Sequence, residues 1–79
     1  MKEKLINVID DVTEGAYSTE EILKEDYEKK GMLDSLQIVE LVVKLENEFD
    51  IEIDDEDLSM ENMKSFDSIM NLVNRLQNR

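Results

Sequence analysis

Apolar residues recur at three- and four-residue intervals in separate blocks along this chain, the spacing of helices that each bury one stripe. Leu5, Val8 or Ile9, and Val12 make the first block and predict a helix over residues 2–14, closed by Gly15. Ser18 with Glu21 three residues later has capping-box spacing and predicts a short turn carrying Ile22 and Leu23. From Lys24 to Lys30 the chain is charged and without a period, so a long ordered loop is expected there. The strongest block runs from Ser35 to Phe49. Ile38, Leu41, Val42, Leu45 and Phe49 share one stripe, and Asp34 with Gln37 makes a capping box at its start. Ile51 and Ile53 then alternate with acidic residues over a short extended link, after which Asp54 is placed to cap a short third helix holding Leu58. Ser65 is placed to cap a last helix in which Phe66, Ile69, Val73 and Leu76 repeat.

Together these elements predict an all-α fold, a small four-helix bundle of three longer helices and one short one with a long first connection. The 79 residues suit a single domain over 1–79, and its core must be thin. A domain of this size buries only about 60% of the surface its unfolded chain exposes. No apolar run approaches the roughly 20 residues that cross a bilayer, and the first residues lack the apolar stretch of a signal peptide. A cytoplasmic, monomeric protein without membrane insertion is the expectation.

Composition narrows the chemistry. There is no cysteine, hence no disulfide and no thiolate metal site. There is no histidine, which removes the commonest general base at neutral pH and the usual zinc and iron ligand. A Ser-His or Cys-His nucleophile system has no parts here, so neither an enzyme nor a metal centre is expected. Acidic residues number 21 against 9 basic, a net charge of −12. Such a chain is repelled by nucleic acid phosphates and anionic membrane surfaces, and its partners should carry basic patches. The charge is also concentrated. Between Asp34 and Glu61 eleven acidic residues face one basic residue, Lys44, so this segment holds ten of the twelve net negative charges. A field so localised points to docking.

The stretch Gly31-Met32-Leu33-Asp34-Ser35-Leu36 reads as a glycine turn, an apolar pair, a helix cap and an exposed serine at a helix N-terminus. The first-turn N–H groups of a helix have no intrahelical acceptors and the helix dipole favours an anion there, so the position suits a phosphate. It also suits a plain cap made by Asp34 and Ser35. The local sequence leaves both readings open.

Joined to the helix after it, the stretch resembles the Asp-Ser-Leu attachment motif of acyl and peptidyl carrier proteins. Val39-Glu40-Leu41-Val42-Val43-Lys44-Leu45-Glu46-Asn47-Glu48-Phe49-Asp50 is similar to the helix next to the motif in that family. The acidic link and the late apolar helix continue the likeness in register over the whole chain. The resemblance implies a carrier of acyl or aminoacyl groups, held as thioesters on a 4'-phosphopantetheine arm. A phosphopantetheinyl transferase would attach that arm from coenzyme A to Ser35 Oγ, with Asp34 and Leu36 completing the site. It also implies that Leu36, Val39, Glu40, Val43, Glu46 and Asn47, recurring at three- and four-residue spacings, form the face that meets partner enzymes. Those partners would be the transferase, an acyl- or aminoacyl-loading ligase, and downstream transferases or synthases with basic docking patches. The competing assignment for Leu36, Val39 and Val43 is further core, since so short a chain needs apolar area.

Three departures bear on cargo and docking. Two residues separate Gly31 from Asp34 where fatty-acid carriers usually have one, and the run from Phe49 to Ser65 is longer than theirs. Both features are similar to D-alanyl carriers and to stand-alone carriers of specialised pathways, which leaves fatty-acid, polyketide, nonribosomal peptide and D-alanylation-type pathways open. Asn47 stands where acidic residues are common in fatty-acid carriers. Readings from other classes are an acidic helical interaction module without a prosthetic group, and a weak calcium-binding module. Asp50, Glu52, Asp54, Glu56 and Glu61 fall at positions 1, 3, 5, 7 and 12 of an EF-hand-like loop, but Asp55 occupies the sixth, where the sharp turn requires glycine.

Overall fold

In a computed structural model, which describes residues 1–78, three long helices carry the core: α1 (Lys2–Val12), α4 (Ser35–Phe49) and α6 (Phe66–Gln77). Three short helices join them, namely α2 (Thr19–Lys24), α3 (Tyr27–Lys30) and α5 (Met60–Met63), together with a single 3-10 turn over Asp55–Asp57. The described residues form no strand. Leu5 and Ile9 of α1, Leu41 and Leu45 of α4, and Ile69, Leu72 and Val73 of α6 are sealed from solvent where the three long helices meet. The all-α fold therefore follows from the three strongest apolar periods. Leu41, Leu45 and Phe49 are buried as the α4 stripe requires, while Ile38 and Val42 at its margins are half-buried.

Helix α1 ends at Val12, two residues before the sequence pattern suggests. Thr13 turns its hydroxyl back onto the Ile9 carbonyl at 2.8 Å, and Glu14 and Gly15 both take left-handed backbone, which no helix can continue. The Gly15 N–H then closes the turn on the Asp10 carbonyl. Helix α2 starts as its capping box requires, with the Glu21 N–H on Ser18 Oγ and the Ser18 N–H on Glu21 Oε1. The N–H bond from Ser18 holds the Glu21 carboxyl below the ordinary glutamate value.

The charged run from Lys24 to Lys30 is not the loop its composition suggests. Asp26 caps α3 by accepting the Lys29 N–H at 2.9 Å, and Tyr27, its single large apolar residue, is buried in the core. The Tyr27 hydroxyl donates to the Ile22 carbonyl and its N–H donates to the Lys64 carbonyl at 2.6 Å, so one residue ties α3 to both α2 and the turn before α6. Burial pushes the Tyr27 hydroxyl pKa well above the ordinary tyrosine value.

The region after Ile53 also differs from expectation. Asp54 precedes only a 3-10 turn, inside which the Asp57 carboxylate is buried and accepts the Asp54 N–H at 3.2 Å. Leu58 lies outside any helix and is exposed. The short helix begins later, at Met60, with Ser59 as its cap. Helix α6 begins at Phe66 with Ser65 as its cap, as expected, and Ser65 and Ser68 exchange backbone-to-hydroxyl bonds.

Candidate functional site

The candidate site lies at the start of α4. Gly31 ends α3 with φ 61, a left-handed conformation that reverses the chain, and the Met32 N–H returns to the Tyr27 carbonyl. The next two side chains anchor the approach, Met32 buried in the core and Leu33 packed against it. Asp34 is the cap: its Oδ1 accepts the Gln37 N–H at 2.8 Å, and its own N–H donates to Gln37 Oε1 at 3.0 Å. Because Asp34 fills that role, Ser35 does not. Ser35 is the first residue of α4, exposed, and its hydroxyl makes no hydrogen bond among the described residues. Anchored apolar residues before it and a rigid helix after it hold an otherwise unused hydroxyl out in water, at the positive end of a 15-residue helix.

Gln37 does more than its capping spacing indicates. Its Nε2 donates to the Val12 carbonyl at 3.3 Å, joining the start of α4 to the end of α1. The sequence signals only the Asp34 bond; the bond to Val12 links residues 25 apart, and no local pattern announces it.

Along the outer side of α4, Leu36 is 68% exposed, Val39 60% and Val43 51%, so these three are surface residues and the alternative assignment to the core fails. Glu40 is exposed between them and Asn47 lies exposed further along, at the edge of a groove against α1. Glu46 departs from the expected arrangement. It is half-buried, and its Oε2 accepts the Ile53 N–H at 2.9 Å. Its carboxylate therefore holds the acidic link against α4, because the extended backbone after Phe49 has N–H groups in need of an acceptor. Exposed Leu58 and Met60 add apolar surface beside Ile38, around a cavity of only about 80 Å³ that Ser59 and Met63 also line. Among the described residues, no group of three or more acidic side chains is placed to hold a metal ion.

A family model described as phosphopantetheine attachment site matches residues 3–76. The chain belongs to this family. It is thus a carrier protein and not a catalyst, with 4'-phosphopantetheine as its covalently attached group. The carrier is 32% identical over 78 residues to the D-alanyl carrier protein of Streptococcus gordonii and 36% identical over 78 residues to that of Streptococcus uberis. Each comparison covers 99% of this carrier and 96% of the relative. No solved structure matches it significantly. The residues at the start of α4 fit the prosthetic group: an exposed hydroxyl without a structural duty stands beside first-turn N–H groups that favour a phosphodiester anion. No helix among the described residues is long and apolar enough to cross a membrane.

Proposed function

We propose that Ser35 carries the phosphopantetheine group and that the cargo is D-alanine or a comparably small acyl group. The observation that carries the assignment is the division of labour at the start of α4, where Asp34 caps the helix and leaves the exposed Ser35 hydroxyl free for modification. Ser35 Oγ bonds to the phosphorus of coenzyme A that bears the pantetheine. The pyrophosphate bond breaks and 3',5'-adenosine bisphosphate leaves. The serine proton goes to a base of the transferase, since this chain has no histidine to take it. When attached, the group supplies a terminal thiol that holds cargo as a thioester, a sulfur that the cysteine-free chain does not itself contain.

Two observations support small cargo. Two matching relatives are D-alanyl carrier proteins, aligned over nearly their whole length. The apolar hollow that Ile38, one turn after Ser35 on α4, forms with Leu58, Met60 and Met63 measures only about 80 Å³ and offers little room for a long acyl chain. Leu36, Val39, Glu40, Val43 and Asn47 form the docking face, and Glu46 supports it from the flank. It meets basic patches on the transferase, an aminoacyl- or acyl-loading ligase and the transferases downstream, with the work done in the cytoplasm. Apolar side chains supply contact and acidic ones speed encounter.

Incubation with coenzyme A and a broad-specificity transferase should add the mass of one phosphopantetheine group, and Ser35→Ala should stay unmodified. A label on Ser18, Ser59, Ser65 or Ser68 in the wild type would overturn the assignment. Offered to the holo protein with an amino-acid-activating ligase, D-alanine should load; loading by long acyl groups alone would overturn the cargo.

A further inference from the structure

One cation stands among the acidic residues between Asp34 and Glu61, and the structure gives it a fixed place. Lys44 Nζ lies 2.8 Å from Asp11 Oδ2, across the groove between α1 and α4. The two side chains are 41% and 68% exposed, and an ion pair so wetted contributes little to stability. Its weight lies in where it puts the charge. Glu40 precedes Lys44 by four residues on α4, and a glutamate four residues N-terminal to a lysine is the favourable order for pairing along a helix. Glu48 comes four residues after Lys44, in the less favourable order. Yet among the described residues Lys44 pairs with neither; it reaches sideways to α1. The Asp11 bond foremost, and the field of Glu40 after it, hold the Lys44 pKa above the ordinary lysine value, so the cation stays charged.

We propose that Asp11 is a positioning residue for the docking surface, holding the Lys44 ammonium on the α1 side of α4 so that Glu40 faces basic partners without an internal counter-ion. The proposal rests on the reading of α4 as the docking helix. Without Asp11 the lysine is free to turn to Glu40, the glutamate in the favourable helical order whose field it already feels, and the acidic face loses field at the point where the apolar residues Val39 and Val43 offer contact. A basic partner then arrives more slowly although the fold is intact.

The test is the initial rate of coenzyme A-dependent modification by a phosphopantetheinyl transferase at low and high ionic strength, on the full chain, with thermal melts to confirm folding. Asp11→Ala should slow the reaction about two- to fourfold at low salt, the range an exposed ion pair commands. Asp10→Ala, which changes net charge equally from an exposed neighbouring position, should have a smaller effect. Asp11→Ala combined with Lys44→Ala should recover the wild-type rate or exceed it. All differences should shrink once the Debye length falls well below about 10 Å. Equal slowing by Asp11→Ala and Asp10→Ala would overturn the proposal, as would failure of the double variant to recover. Should Asp11→Ala fold poorly, Asp11→Asn repeats the comparison with the shape kept. Glu40→Gln is the separate control. If it leaves the low-salt rate unchanged, the docking reading itself fails; if it slows the reaction while the Asp11 variants behave as net charge alone requires, only the positioning role of Asp11 fails.

Discussion

Replacing Gln37 with alanine removes two bonds at once. One is the acceptor for the Asp34 N–H at 3.0 Å, the return half of the capping box; the other is the donor to the Val12 carbonyl at 3.3 Å. Each intramolecular hydrogen bond contributes about 0.5–1.5 kcal/mol net, so the pair amounts to about 1–3 kcal/mol. Alanine returns a few tenths through its better helix propensity, roughly 0.3 kcal/mol, leaving a loss of about 0.7–2.7 kcal/mol. For a domain of this size each kcal/mol moves the midpoint of thermal unfolding by about 4–8 °C. Gln37→Glu divides the two contributions. It keeps an oxygen for the Asp34 N–H and suits the positive helix start, but has no donor for Val12. Urea unfolding should therefore rank wild type above Gln37→Glu and Gln37→Glu above Gln37→Ala, with similar m values in all three. If Gln37→Ala unfolds within about 0.3 kcal/mol of wild type, the junction between α1 and α4 is held by apolar packing alone and the role given to Gln37 is wrong.

Phe49→Ala empties the buried end of the α4 stripe and should cost about 3–5 kcal/mol, enough to leave so small a domain largely unfolded; a cooperative urea transition near that of wild type would refute the packing assigned to Phe49. Tyr27 supplies a pH dependence. Its folded pKa is raised, so the neutral hydroxyl is the form the fold prefers, and its contribution is fully present below the ordinary value of 10.0 and declines as pH rises through that value towards the folded one. Denaturant midpoints taken between about pH 8 and 11 should fall less steeply for Tyr27→Phe than for wild type, and parallel slopes would show that Tyr27 ionises as freely in the fold as out of it.

Much of this architecture could be read from residue order because its strongest elements are periodic. The stripe from Ile38 to Phe49 and the repeat from Phe66 to Leu76 each meet the core with one face, and Asp34, Ser18 and Ser65 announce helix starts by short-range chemistry. Helix α3 was hidden for the opposite reason. Four residues with one apolar side chain carry no period, and Tyr27 is committed by bonds to Ile22 and Lys64 that only the folded chain brings near. Leu58 misled because a single leucine among carboxylates fixes no face, whereas Ser59 and Asn62 mark where the short helix begins. The start of α4 is legible from its sequence as a capped helix preceded by a glycine turn, but the separation of duties between Asp34 and Ser35 needs the fold. Glu46 shows the limit of reading a helix face by spacing: it shares a repeat with Leu36, Val39 and Val43, yet the Ile53 N–H on the link draws its carboxylate aside.

The exposed side chains of Leu36, Val39 and Val43 have a consequence for the protein's behaviour in concentrated solution. Apolar surface of this kind invites any matching surface, including that of another copy of the same molecule. Two copies approaching through these faces would each bring the acidic segment around them, and like charges at close range oppose the encounter. The same surface with a basic partner opposite meets attraction at long range and apolar contact at short range. On the proposed reading of α4 as the docking helix, one distribution of carboxylates thus sorts colliding molecules by the sign of their charge before any side chain touches, favouring basic visitors over a second copy.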